Sequence, residues 1–430
     1  IVISLFIVPV MYSKRGKSGR KKGAAVFAVA LILLFGVGTY YISETIGFFN
    51  SITDIVKAKE DFYLVVKAES QYEEASELKG KTIATSSDTG KTYSEARNKL
   101  KDEIDAKYDY IDDASEMIES LLQNKYSAVF ISAASYDTMK EGNASIETDT
   151  KIIYTISITK ESSRKTKHVD VTEEPFNILV SGLDTTGDIG TTSRSDVNMI
   201  MTVDPVRKKI LLTSIPRDMY VTLHSYGAKD KLTHTGIYGV DETVTTVEDW
   251  LGIDINYYLR VNFTTLEDVV DVIGGIDVES EYSFKSSASK YSYVKGINHM
   301  SGEAALYFAR ERYAFASGDN QRVRNQQLVI QGIINKIMSD KSLLIKYPQL
   351  LGAVRDQMRT NMTDDDISSL VKMQLDDMTG WEIETCAITG TGTMAATYSG
   401  GSQNLSVIIP SDTSVSYAAG KIRDMMNRSE

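Results

Sequence analysis

The sequence predicts an α/β protein in three parts: an N-terminal transmembrane anchor, a small α/β unit, and a larger mixed α/β domain whose central sheet is flanked by helices. Three observations predict it. An uncharged apolar run follows a cluster of basic residues near the N-terminus. Short strand-like runs then alternate with helical periodicity as far as Thr159. A polar stretch interrupts that pattern, and a second set of apolar runs begins at Phe176.

Taken in order, residues 1–12 ("IVISLFIVPVMY") are apolar but too short to span a bilayer, and read as the end of a truncated earlier transmembrane helix. A cleaved signal peptide is the other reading, but no small-x-small site follows. Residues 13–22 form a basic loop with Lys14, Arg15, Lys17, Arg20, Lys21 and Lys22 and no acid. Residues 23–43 carry no charge over about 20 residues, the length that crosses ~30 Å of hydrocarbon. Basic loops stay on the cytoplasmic side, so the chain after Ser43 is expected outside the cell.

Residues 44–160 are expected to form the small unit, with 44–60 as a connector. "FYLVVKA", "GKTIATSS", "YSAVFIS" and "KIIYTISIT" read as strands, and Tyr93, Ala96, Leu100 and Ile104 recur at helical spacing. So do Ala114, Met117, Ile118, Leu121 and Leu122. "ELKGKTIATSSDTGKTYSEA" resembles the start of a lobe in periplasmic solute-binding proteins, which leaves a ligand role and a spacer or partner-docking role both open. "SSDTGKT" lacks the first glycine of a phosphate loop. Residues 161–175 read as a linker.

Residues 176–428 are expected to form the larger domain. "FNILVSGLD", "DVNMIMTV" and "KKILLTSIP" read as strands, and "YYLRVNFTTLEDVVDVIGGIDV" as strand, helix, Gly-Gly turn and strand. "SGEAALYFARER" is a short helix and Asn325–Met338 a longer one. The 430-residue chain has a net charge of −11, which argues against nucleic-acid binding, and its single cysteine, Cys386, excludes an intramolecular disulfide.

Within this acidic chain the charges gather at the ends of apolar runs. Asp184 follows "NILVSGL", Arg194 and Asp196 precede "VNMIMTV", and Arg217 and Asp218 follow "ILLTSIP". Arg310 and Arg312 end a helix, Asp319 lies in the next turn, and Arg322 and Gln326 share a helix face. Ligand crevices open beyond the strand ends of α/β sheets. Arginine forks grip phosphate oxygens in pairs, and Asp184 and Asp196 offer hard oxygens suited to Mg²⁺. Each charge taken singly reads as an ordinary surface ion pair; together they point to an extracellular anion or phosphate site.

"NILVSGLDTTG", "SRSDVNMIMTVDPVRKKILLTSIPRDMYV", "KLTHTGIYG", "VNFTTLEDVVDVIGGIDV" and "INHMSGEAALYFARER" with "GDNQRVRNQQ" resemble the LytR-CpsA-Psr (LCP) family, in order and spacing, over Phe176 to Met338. The anchor and added unit resemble its capsule-type members with an accessory domain. The resemblance implies a membrane-bound phosphotransferase of a Gram-positive-type bacterium. Such an enzyme moves a glycopolymer from an undecaprenyl-pyrophosphate carrier to peptidoglycan, in partnership with capsule or wall-polymer synthesis proteins. By position, Asp184 and Asp196 would hold Mg²⁺, and Arg217, Arg310, Arg312 and Gln326 would grip the pyrophosphate. Arg194, Asp319 and Arg322 would complete the site. Lys231 and His234 match a segment near it, with a structural and a catalytic reading open for His234. Val180, Met199 and Met201 read either as lipid-channel residues or as core. Where many members carry a second arginine directly before the paired glutamines, this chain has Asn325 and moves the charge to Arg324. A pyrophosphatase and a non-enzymatic sensor or attenuator that binds polyprenyl phosphate are the competing readings.

Overall fold

The computed structural model describes residues 57–88, 90–161, 164–183, 193–316, 318–340, 343 and 358–428. The expected anchor and the loop that carries Asp184 lie outside the described residues. Among the described residues no helix is long and apolar enough to cross a membrane.

The small unit runs β1 (Lys57–Lys67), β2 (Thr82–Thr85), α1 (Lys91–Glu103), β3 (Lys107–Tyr110), α2 (Ala114–Leu122), β4 (Ala128–Ser132), α3 (Ala133–Gly142), α4 (Ser145–Asp149) and β5 (Thr150–Glu161). Its sheet has the order β3-β2-β4-β1-β5, with β2 parallel to β3 and β4, and β1 antiparallel to β4 and β5. Strand β4 is buried at every position, as a strand covered on both faces requires. Phe62, Leu64, Ile83, Leu100 and Phe130 fill one face, and Val65, Met117, Leu121, Val129 and Ile131 the other. Strand β1 begins at Lys57, inside the expected connector, because Lys57–Glu60 pair with Ile158–Glu161 at the far end of β5.

The larger unit opens with β6 (Phe176–Leu183), β7 (Ser195–Asp204) and β8 (Lys209–Ile215), followed by the hairpin β9 (Tyr220–Thr222) and β10 (Lys229–Lys231). After α5 (Leu232–Thr235) and α6 (Val240–Leu251) come β11 (Tyr257–Asn262), α7 (Phe263–Val272) and β12 (Ile276–Ser280). Next are β13 (Phe284–Lys285), β14 (Ser292–Tyr293), β15 (Gly296–Met300), α8 (Gly302–Arg310) and α9 (Asp319–Ser339). The chain closes with β16 (Met358–Thr360), α10 (Asp364–Asp376), β17 (Glu382–Ala387), β18 (Gly390–Ala396), β19 (Asn404–Pro410) and α11 (Asp412–Met426).

Six strands form the central sheet in the order β16-β11-β6-β7-β8-β17. Alternating side chains divide its core. Leu179, Ile200 and Leu211 pack with Val244 of α6 and Ala418 of α11 on one face, while Val180, Met199 and Leu212 pack with Ile330 and Ile334 of α9 on the other. Met199 is fully buried there, Val180 nearly so, and Met201 packs at the margin, so these residues are core. The Gly-Gly turn stands as read, with Gly274 and Gly275 both at positive φ. A Cβ on Gly275 would meet the His299 ring at 2.8 Å. Helix α9 begins six residues before the apolar period of Asn325–Met338, since its first turns are polar.

Candidate active site

One edge of the central sheet collects the site. Strand β6 pairs in parallel with β11 and β8 with β17, while β7 runs against both β6 and β8. The carboxyl ends of β6, β8, β11 and β17 therefore meet the start of β7, where Leu183 faces Ser195. Arg194 and Asp196 flank that start. Pro216 has no N–H to continue the sheet, so the chain turns away after β8 and places Arg217 and Asp218 at the edge. The "KLTH" segment straps across this turn: Thr233 N–H donates to the Arg217 carbonyl and Leu232 N–H to that of Met219, both at 2.8 Å.

Arg217 and Asp196 form a close ion pair at this edge, Nη1 to Oδ2 at 2.5 Å. Thr233 Oγ1 donates to the other carboxylate oxygen at 2.9 Å. Arg217 Nε also lies 3.7 Å from Asp218 Oδ2, and Lys231 Nζ lies 3.4 Å from Asp218 Oδ1. Lys231, almost wholly buried, completes its shell with Glu141 at the end of α3 in the small unit. Glu141 Oε2 also reaches Arg194 Nη1 at 3.2 Å and His234 Nε2 at 3.4 Å.

His234 has no solvent exposure. Its Nδ1 is 2.6 Å from Asp230 Oδ1 and 2.8 Å from Ser399 Oγ, while Ser399 N–H donates to Asp230 Oδ2 at 2.9 Å. Burial works against a charged imidazole, yet the Asp230 and Glu141 carboxylates on either side raise its pKa above the ordinary value. Burial likewise works against the Glu141 carboxylate, but His234 and Lys231 hold its pKa far below the usual glutamate range. Both ring nitrogens of His234 lie against internal partners, Nδ1 against Asp230 and Ser399 and Nε2 against Glu141.

Of the remaining arginines, Arg310 has a contact farther along the edge. Arg310, the last residue of α8, lies over the Phe263 ring just beyond β11, with 4.2 Å from guanidinium carbon to centroid. Arg312 stands 4.6 Å over the Tyr313 ring and donates to its hydroxyl at 2.5 Å. Asp319 opens α9, and its side chain lies outside what the structure describes. Arg322 and Gln326 follow on α9, both half-buried. Gln327 anchors that helix by donating to the carbonyls of Leu212 on β8 and Cys386 on β17, at 3.2 and 2.6 Å. Arg324 points elsewhere: it is exposed and pairs with Glu281 at 3.2 Å. Asn325 is buried and donates to the Phe308 carbonyl at 3.1 Å, tying α9 to α8.

Two contributors escape a reading of strand ends. Thr233 lies inside a quoted motif, but a threonine gives no charge signal. Glu141 comes from the other unit, and nothing local marks it. Among the described residues no group of three or more His, Cys, Asp or Glu side chains is placed to hold a metal ion. Asp196 offers hard carboxylate oxygens at the edge, a donor type that fits Mg²⁺, and Arg217 shares them, while the neighbouring Asp218 lies beside Arg217 and Lys231.

The model of the LytR_cpsA_psr family matches residues 127–409, more than half of the chain. An Enterococcus faecalis protein named polyisoprenyl-teichoic acid–peptidoglycan teichoic acid transferase TagU is 36% identical over 240 residues, covering 55% of this chain and 77% of that one. A Bacillus cereus protein of the same name is 36% identical over 214 residues, covering 49% and 69%. Among solved structures, B. subtilis TagV aligns with a TM-score of 0.50 at 30% identity, over 59% of this chain and 98% of that one. The Streptococcus agalactiae protein gbs0355 aligns at 0.52 and 27%, over 61% and 92%. With the family model matching well over half of its length, the central sheet and its strand-end edge included, the chain belongs to the LytR-CpsA-Psr family.

Proposed function

We propose that the chain transfers a glycopolymer, such as capsular polysaccharide or teichoic acid, from an undecaprenyl-pyrophosphate carrier to peptidoglycan. The observation that carries this reading is the Arg217–Asp196 pair at the strand-end edge, with Arg310 over Phe263 farther along the same edge. Relatives bearing the transferase name support it.

In the reaction, an acceptor hydroxyl, expected to be the 6-hydroxyl of N-acetylmuramic acid, attacks the phosphorus that carries the glycan. The bond from that phosphorus to the bridging oxygen breaks, undecaprenyl phosphate leaves, and the hydroxyl proton passes to a base or to water. The product is a phosphodiester. Such a step depends on positioning and on neutralising charge. Arg217, Arg310, Arg312 and Gln326 grip the pyrophosphate oxygens, while Arg194, Asp319 and Arg322 complete the charge around them. Asp184 and Asp196 would hold Mg²⁺, whose contribution is to neutralise the pyrophosphate. The site works outside the cell, at the membrane that holds the carrier.

The test mixes the purified full chain and Mg²⁺ with a lipid-pyrophosphate-linked oligosaccharide and a peptidoglycan fragment, and looks for a sugar–phosphate–glycan adduct by mass spectrometry. An adduct supports the transferase. Lipid phosphate released without adduct moves the reading to a pyrophosphatase, and binding without turnover to a sensor.

A further inference from the structure

The small unit reaches into the site with one side chain. Glu141 ends α3, and its carboxylate meets Lys231, Arg194 and His234 of the larger unit. The two units touch again where Ser402 N–H donates to Asp113 Oδ2 at 3.0 Å. A Cβ on Gly142 would collide with the Gln403 side chain, so the end of α3 lies directly against the 397–403 loop.

From Glu141 the charges alternate inward. Lys231 links Glu141 to Asp218, Asp218 lies beside Arg217, and Arg217 holds Asp196. Each member is positioned by its neighbours of opposite sign, and Glu141 anchors the outer end of the row. Without it, Lys231 would turn wholly to Asp218, draw that carboxylate away from Arg217, and leave Arg194 without its carboxylate partner from α3. A misplacement of about 1 Å in such a site costs on the order of a hundredfold in rate.

Resting on the transferase reading, we propose that the accessory unit completes the site: Glu141 is a positioning residue that holds Arg194 directly and Arg217 through Lys231 and Asp218. Loss of its charge alone would leave the edge more cationic and favour an anionic substrate, so a fall in rate on its removal reports placement rather than field.

The test uses the full chain with Glu141→Gln, Glu141→Asp and Asp113→Asn. The last keeps the helix cap on α2 while weakening the unit contact remote from the cations. Glu141→Gln is expected to lower kcat for adduct formation about tenfold or more, with Glu141→Asp recovering part of the loss and Asp113→Asn close to wild type. Equal losses in Glu141→Gln and Asp113→Asn would reduce Glu141 to a docking contact and overturn the proposal. Unchanged or faster turnover in Glu141→Gln would overturn it as well. NMR titration of His234, one of four histidines in the chain, runs alongside and needs no turnover. Its pKa should fall in Glu141→Gln, and an unmoved titration overturns the proposal even in a chain that forms no adduct. A wild-type chain without adduct fails the transferase reading separately.

Discussion

The two large sheets of this protein end in polar loops at the carboxyl side of parallel strands, but they use those ends differently. Beyond β2, Asp112 accepts from both Ser86 and Ser87, and Arg97 donates to the carbonyls of Ser86 and Asp88. That loop satisfies itself within one unit. Beyond β6 and β8, the charges are answered from elsewhere: Arg217 by Asp196 across two strands, and Arg194 and Lys231 by a carboxylate of the other unit. The difference teaches that strand-end placement alone does not make a site. What distinguishes this edge is that Arg194 and Lys231 are held by Glu141 of the other unit, so their geometry depends on how the two units pack.

The largest effect that would break this comparison lies at the large sheet. Arg217→Ala is expected to lower adduct formation by about 10²–10³, the range for removing one preorganised donor at a developing charge, and Asp196→Ala to lower it as well, since its carboxylate holds that donor in place. Ser87→Ala, at the corresponding place in the small sheet, should leave the rate within twofold (roughly 0.4 kcal/mol). Comparable losses at both ends would erase the distinction.

Next in size is Asp230→Ala. It strips the buried His234 of one of its two carboxylates and should cost about 3 kcal/mol, seen as a lowered melting midpoint. The clamp should also be pH-dependent. His234 has a raised pKa in the folded state, so its stabilisation is fully present below about 6.5 and is lost as pH rises through the folded value. Glu141 is depressed, so its share is present above about 4.3 and is lost as pH falls through the folded value. The stability gap between wild type and Glu141→Gln should therefore be widest between those limits and narrow at alkaline pH. A gap that widens above neutrality would contradict the assignment.

A smaller loss, about 1–2 kcal/mol, is expected for Gln327→Leu, which leaves two buried carbonyls without their side-chain donor. The smallest belongs to Asp112→Ala. Its partners are exposed, so denaturant melts should move by no more than about 0.5 kcal/mol and transfer should not change.

Much of this was legible in the sequence, for physical reasons. The strands "FNILVSGL" and "KKILLTSI" announce themselves because covered sheet strands need unbroken apolar runs. Arg194, Asp196 and Arg217 could be found because they sit where such runs stop. The displaced charge at Arg324 already separated it from the site, and the structure gives it to Glu281. The C-terminal elements were harder. Strand β18 ("GTGTMAA") is mostly exposed and rich in glycine, so it carries no periodicity to read. Glu141 was out of reach altogether, because its role follows from how one unit packs on another rather than from any local pattern.

Phosphoryl transfer at the Arg217–Asp196 edge is tested most directly by adduct formation with the full chain and its Arg217→Ala variant. The prediction is a sugar–phosphate–peptidoglycan adduct from wild type, with lipid phosphate released in equal amount, and its loss in the variant while the protein stays folded. An adduct that persists in Arg217→Ala would contradict the account and move the chemistry away from this edge.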